Sequence, residues 1–149
     1  MRAVIQRVKN ASVKTDGTII GEINKGLLVL VGIEEGDTRE DAEHIVKKTV
    51  SLRVFNDEFG KINKSVEDVN GGILVVSQFT LLGDVKKGNR PSFIRAMAPE
   101  QAQPFFDEII GMFKDAYSRI ETGLFGADMD VSLLNDGPVT ILVDSRKVF

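Results

Sequence analysis

Cysteine is absent from the sequence, which excludes disulfides, thiolate nucleophiles and cysteine-held metal ions. Histidine occurs once, at His44, so a serine–histidine–acid triad has a single available base. No apolar run approaches the ~20 residues that cross a bilayer as a helix, and no membrane association is expected. The opening MRAVIQRVKNASV lacks the apolar core and small-residue cleavage site of a secretory signal. Together these absences fit a cytoplasmic address. An excess of positive charge is missing too. The net charge is −3, so the chain as a whole does not advertise a nucleic-acid binder. Metal-ligand spacing is also wanting. Asp128, Asp130, Asp136 and Asp144 follow no ligand pattern, and the turn at Asn56–Gly60 lacks EF-hand spacing. Neither a metal nor a cofactor is expected.

What is present suits one domain spanning 1–149, long enough for a real hydrophobic core. Charge is unevenly spread. Arg2, Arg7, Lys9 and Lys14 open the chain with no acid among them, and the stretch 34–43 is acidic. Lys86, Lys87, Arg90 and Arg95 crowd one loop against a single acid, Asp84. A local basic patch holds phosphates even on an acidic protein. Ordinary surface charge accounts for the same clustering.

Apolar spacing predicts strands at Arg2–Lys14 and Thr18–Ile23, joined by the hairpin turn Asp16-Gly17, with a bend or bulge at Asn10. Leu27–Ile33 is apolar throughout and reads as a strand buried on both faces. Thr38 and Asp41 form a capping box for a helix whose inward stripe is Ala42, Ile45, Val46, Thr49 and Val50. His44 lies beside that stripe, away from any polar cluster. Short strands follow at Leu52–Phe55 and, as loop or edge, Lys61–Ser65. Pro99 opens a longer helix with Ala102, Phe105, Phe106, Ile109, Phe113 and Tyr117 at helical spacing. Pro104 should bend its first turns or delay its regular part. Strands are then expected at Ile120–Phe125, Met129–Leu134 and Val139–Val143, the last two parted by a turn at Asn135–Pro138. Many strands and two helices predict a mixed α/β fold: two packed, mainly antiparallel or mixed sheets with helices on one side, in β/β/α layers. The helices can cover only part of that sheet surface, so a second sheet face or another subunit covers the rest.

Chemistry is sought at Gly71–Arg95, GGILVVSQFTLLGDVKKGNRPSFIR. A buried strand, Ile73–Val76, changes character at Ser77-Gln78-Phe79-Thr80. Polar groups at the end of a buried strand are costly unless paired or used, and strand ends are where such sheets place their sites. Local backbone pairing alone is the plainer explanation. Phe79 points either to the core or away from it.

At Ser77-Gln78-Phe79-Thr80-Leu81 and Asn135-Asp136-Gly137-Pro138-Val139-Thr140 the chain resembles the D-aminoacyl-tRNA deacylases. The likeness runs nearly the full length, through MRAVIQRV, Gly26-Leu27-Leu28-Val29, Lys87–Phe93 and Gly126-Ala127-Asp128-Met129. It implies a homodimer that hydrolyses the ester between a D-amino acid, or a mischarged glycine, and the terminal ribose of tRNA. It implies that Ser77, Gln78 and Phe79 surround the ester and terminal adenosine, with Thr80 as a further catalytic candidate. It also implies that Gly137-Pro138, with a cis bond, enters the partner subunit's pocket as a chiral selector. The RNA's own terminal hydroxyl is implied to assist. Thr80 then either attacks or orients substrate or water, with orientation favoured because no base neighbours it in sequence. The backbone N–H groups of Ser77 and Gln78 are expected to face the scissile carbonyl. Lys86, Lys87, Arg90 and Arg95 are candidates for the acceptor-end phosphates.

Overall fold

The computed structural model describes Met1–Phe149. In chain order the elements are β1 (Arg2–Thr15), β2 (Thr18–Ile23), β3 (Gly26–Gly32), α1 (Arg39–Ser51), β4 (Phe55–Asn56), β5 (Ile62–Lys64), β6 (Gly72–Ser77), a 3₁₀ turn (Phe79–Leu82), α2 (Pro99–Ala116), β7 (Ile120–Thr122) and β8 (Asp130–Asp144).

The first hairpin follows from local sequence. Asp16 and Gly17 have positive φ, 49° and 75°, the backbone that a two-residue turn between twisted strands requires. β1 then changes neighbour along its length. Arg2–Val8 pairs antiparallel with β3, and Ala11–Thr15 pairs with β2. The change falls at Lys9–Asn10, where register against β8 also shifts; Asn10 does mark an irregularity. β3 and β6 are parallel, and so are β6 and β7. β4 and β5 make a separate small sheet.

Strand alternation sorts the core into two sides. Leu27, Val29 and Val31 of β3, with Ile73 and Val75 of β6, join the helix stripes Ala42, Ile45 and Val46 and Ala102, Phe106, Ile109 and Phe113. Leu28, Leu74 and Val76 face the other way, against Val8, Ala11, Val13 and Ile23. The central strands are thus buried on both faces, and the β1–β2 end folds over the side opposite the helices. The result is the mixed α/β fold with helices on one side. No helix is long and apolar enough to cross a membrane.

Four local expectations are corrected. Asp130–Asp144 is one strand, not two strands around a turn. β1 supplies a continuous template for both halves, so the surplus residues are expelled as a bulge. Between the pairs Gln6↔Thr140 and Val8↔Asn135 the chain advances two residues on β1 and five on β8. Asp136–Val139 therefore have no partner on β1. Next, α2 starts at Pro99 and runs through Pro104 without delay. Pro104 lies early in α2, so its missing N–H costs one intrahelical bond close to the N-terminus. The β7 ladder stops at Thr122, because β6 pairs with it only from Ile73 to Val75. Finally, Leu52–Val54 is a connector, and the strand begins at Phe55. The start of α1 agrees with its sequence: the Asp41 carboxylate accepts from the Thr38 N–H at 2.8 Å.

Candidate functional site

β6 ends at Ser77 because its neighbour β3 ends there: Val31 is the last partner in register. The Gln78 N–H donates to the Val31 carbonyl at 2.8 Å, and the chain then tightens into the 3₁₀ turn. Phe79 and Thr80 open that turn, so their N–H groups are not used by it. This strand end borders a cavity of about 560 Å³. Ser77, Gln78 and Phe79 line it together with Ala96, Met97, Ala98 and Phe125–Met129. Asp128 is its sole ionisable lining residue. Phe79 is 57 % exposed and meets Phe93 edge-on at 5.1 Å between centroids. Its direction is settled: it forms the cavity rim and not the core.

Thr80 is exposed and does not line the cavity. The Gln78 side-chain amide donates to Thr80 Oγ1. His44 is on α1 and is not among the lining residues, so no serine–histidine or threonine–histidine pair forms here. The Gln78 N–H, expected to face a substrate carbonyl, is instead committed to Val31.

The structure does not bring Gly137 and Pro138 to the same chain's Ser77. Both are exposed on the β8 bulge, and their peptide bond is cis. Register measures the separation. Ser77 is level with Val31 and hence with Ala3, while the bulge lies beside Gln6–Val8. About four residues along β1 and three strand spacings across give roughly 20 Å. Gly137 has φ 144°, and a Cβ there would lie 3.1 Å from Arg7 Nη2. A side chain at this position would be strained and crowded.

Arg7 was not singled out by the sequence. It is buried. Nε donates to the Asp136 carbonyl at 2.8 Å, and Nη1 to the Val54 carbonyl at 2.6 Å and Asn56 Oδ1 at 3.3 Å. One guanidinium thereby ties the bulge to β4. A signal was present: Arg7 follows Ala3 and Ile5 on the inward face of β1.

The basic loop is closed by reciprocal backbone bonds between Asp84 and Ser92, at 2.8 and 2.9 Å. Lys86, Lys87 and Arg90 are exposed on it. Arg95 differs, because its guanidinium donates twice to Glu34 Oε1, at 2.9 and 2.6 Å. Those hydrogen bonds and the Glu34 charge hold Arg95 above the ordinary arginine value. No group of three or more His, Asp or Glu side chains is arranged to hold a metal ion.

A model of the D-Tyr-tRNA(Tyr) deacylase family matches residues 4–144. The chain belongs to this family. Among similar proteins, the D-aminoacyl-tRNA deacylase of Clostridium novyi (strain NT) is 56 % identical over all of both chains. That of Thermosipho africanus (strain TCF52B) is 52 % identical over the same full span. A solved structure described as c-Myc DNA Unwinding Element Binding Protein is 48 % identical with TM-score 0.92, covering 97 % of this chain and 98 % of that one. Another, described as a probable eukaryotic D-amino acid tRNA deacylase, shares the fold at TM-score 0.80 and 19 % identity, covering 96 % and 98 %. The protein is therefore an enzyme of the D-aminoacyl-tRNA deacylase family.

Proposed function

We propose that this deacylase hydrolyses the ester linking a D-amino acid, or a mischarged glycine, to the terminal ribose of tRNA. The observation that carries the reading is the cavity at the β6 end, lined by Ser77-Gln78-Phe79, in a chain of this family. An aminoacyl ester is already activated relative to an amide. Positioning, an oxyanion donor and a water molecule suffice. Water adds to the ester carbonyl, the acyl–oxygen bond breaks, and the departing ribose oxygen takes the proton. The N–H of Phe79, which lines the cavity, receives the developing oxyanion, and one such donor is worth about 3 kcal/mol. Thr80 orients; with its Oγ1 accepting from Gln78 and no histidine at the site, it lacks the activation a nucleophile needs.

Stereochemistry comes from a second copy of the chain. The exposed Gly137–Pro138 corner of one protomer enters its partner's cavity and walls it with main chain. An L side chain meets that wall, whereas a D side chain points out and glycine fits. The wide separation of corner and Ser77 within one chain supports action in trans. Exposed Leu134 and Leu142 on β8 offer apolar surface for such a homodimer. Lys86, Lys87 and Arg90 contact acceptor-end phosphates, and Arg95 is left out because Glu34 occupies it. The reaction is assigned to the cytoplasm, where charged tRNA is found.

Purified protein should release D-amino acid and glycine from charged tRNA and leave the L ester, while a small model ester turns over poorly. Comparable hydrolysis of D and L forms overturns the selector. Mixing a Gln78→Ala protein with a Pro138→Ala protein, each weak alone, should restore part of the activity; no recovery overturns action in trans. The DNA-directed name of the 48 %-identical structure favours a second reading, nucleic-acid binding without catalysis. That reading requires salt-dependent binding of DNA with no deacylation.

A further inference from the structure

Glu34 is one of several buried charges that the proposed chemistry does not use, beside Arg7, Asp37 and Asp144, and it is the one with an unpartnered oxygen. Its residue is 5 % exposed, yet Oε2 has no hydrogen-bond partner. Arg146 Nη1 stands 3.6 Å from that oxygen, too far to satisfy it. Both donors of Arg95 converge on the other oxygen. A buried ion pair costs desolvation, and apolar side chains of similar size commonly serve stability as well or better. A buried, half-satisfied carboxylate calls for a reason other than stability.

Its position supplies one. The Glu35 N–H donates to the Arg95 carbonyl at 2.9 Å, and the Met97 N–H to the Ile33 carbonyl at 3.0 Å. These two bonds, with a bridge between Glu34 and Ala96, lay Arg95–Met97 against the strand exit. Ala96, Met97 and Ala98 line the same cavity as Ser77 and Gln78, and they lead directly into α2 at Pro99. Ala96 and Ala98 have little side chain with which to fix themselves, while Met97 packs partly buried against the core. Arg95, one residue earlier, is the segment's only charged side-chain anchor.

We infer that Glu34 is a positioning residue: by gripping Arg95 it sets the distance between the Ala96–Ala98 wall and the Ser77–Gln78 strand end, and so sets substrate affinity. The kinetic form of this inference rests on the deacylase reading above; its structural form does not. Because Ala96, Met97 and Ala98 supply no group to which that reading gives a chemical role, their displacement weakens binding of ground and transition states alike.

The test is Glu34→Gln, which keeps shape and removes the charge. Amide hydrogen exchange at Glu35 and Met97 should quicken about ten-fold or more, while Val29 and Val75 keep their protection. For D-aminoacyl-tRNA, KM should rise about ten-fold with kcat within about two-fold of the parent. Unchanged exchange at Met97 overturns the inference whatever the enzyme's substrate. Faster exchange throughout β3 and β6 also overturns it, since Glu34 would then serve only global stability. A fall in kcat at constant KM overturns the affinity role. Tighter tRNA binding by Glu34→Gln overturns it as well, because the freed Arg95 would then be a phosphate contact. If the parent protein deacylates nothing, the functional reading fails and the exchange experiment still decides whether Glu34 holds the wall.

Discussion

Arg7→Met tests the support of the Gly137–Pro138 corner. The methionine keeps most of the buried stem and deletes the guanidinium. Two carbonyls, Asp136 and Val54, then lose their donors at 2.8 and 2.6 Å. A buried acceptor left unsatisfied costs about 1–3 kcal/mol. Removing a desolvated cation returns part of that cost. A net loss of about 3 kcal/mol is a large share of the ~5–15 kcal/mol that hold a domain together. For a chain of this size each kcal/mol moves the melting temperature by about 2–4 °C, so a drop of about 6–12 °C is expected. The melt should be followed by circular dichroism at one fixed protein concentration, because association shifts the midpoint. Arg7→Lys retains charge but not the fork that reaches Asp136 and Val54 together, and should recover little. The same variants should discriminate less between D and L esters, since the bulge bearing Gly137 loses its tie to β4. A melting temperature within about 2 °C of the parent, with the D-to-L ratio intact, would refute the reasoning.

Tyr117→Phe removes the hydroxyl that donates to the Gly71 carbonyl at 2.6 Å, at the threshold of β6. A loss of about 1–2 kcal/mol in urea unfolding is expected, and no loss would mean that water replaces the hydroxyl. Burial pushes Asp41 upward, but hydrogen bonds from Ser145 and Thr38 outweigh it and hold the carboxyl below the usual range. A carboxyl so lowered stabilises the fold above its unfolded value of ~4 and loses that contribution as pH falls below it. Asp41→Asn should therefore flatten the acid limb of the stability–pH curve, which chemical denaturation at pH 3–6 (approximately the span around the carboxylate range) would reveal. Replacing Lys86, Lys87 and Arg90 together by alanine should reduce the slope of log affinity against log salt for tRNA by about 2–3. An unchanged slope would show that these cations do not meet phosphate.

The layers of the fold were legible because they depend on short-range patterns. Leu27–Val31 reads as apolar at every position, and the structure gives each parity its own side of the core. Asp16-Gly17 and Pro99 mark a turn and a helix start through backbone chemistry that acts within a few residues. The Asn135–Pro138 segment misled for a related reason. Its composition is that of a turn, and local propensity cannot register that β1 continues past it as a template. A long partner strand turned a chain reversal into a bulge, which gives the corner its exposure.

The residues that shape the candidate site were less legible, and Arg7 and Glu34 show why. Each is a buried charge on or beside a strand. Arg7 follows Ala3 and Ile5, and Glu34 follows Ile33 at the end of β3. A sequence reading can note the conflict between charge and burial. It cannot resolve it, because the resolving partners lie far away: Asp136 is 129 residues from Arg7, and Arg95 is 61 residues from Glu34. Ser77-Gln78-Phe79 was easier to find because the change from apolar to polar is written in four consecutive residues. The site thus has two kinds of parts. Groups that touch the cavity are set by a strand end and are visible in one motif. In the proposed reading, the groups that hold the wall and the corner in place are ion pairs and forks across the fold, and their meaning depends on register that only the assembled sheet supplies. It follows that conservative substitutions at Arg7 and Glu34, which look harmless in the sequence, should disturb the site more than many changes at its exposed rim.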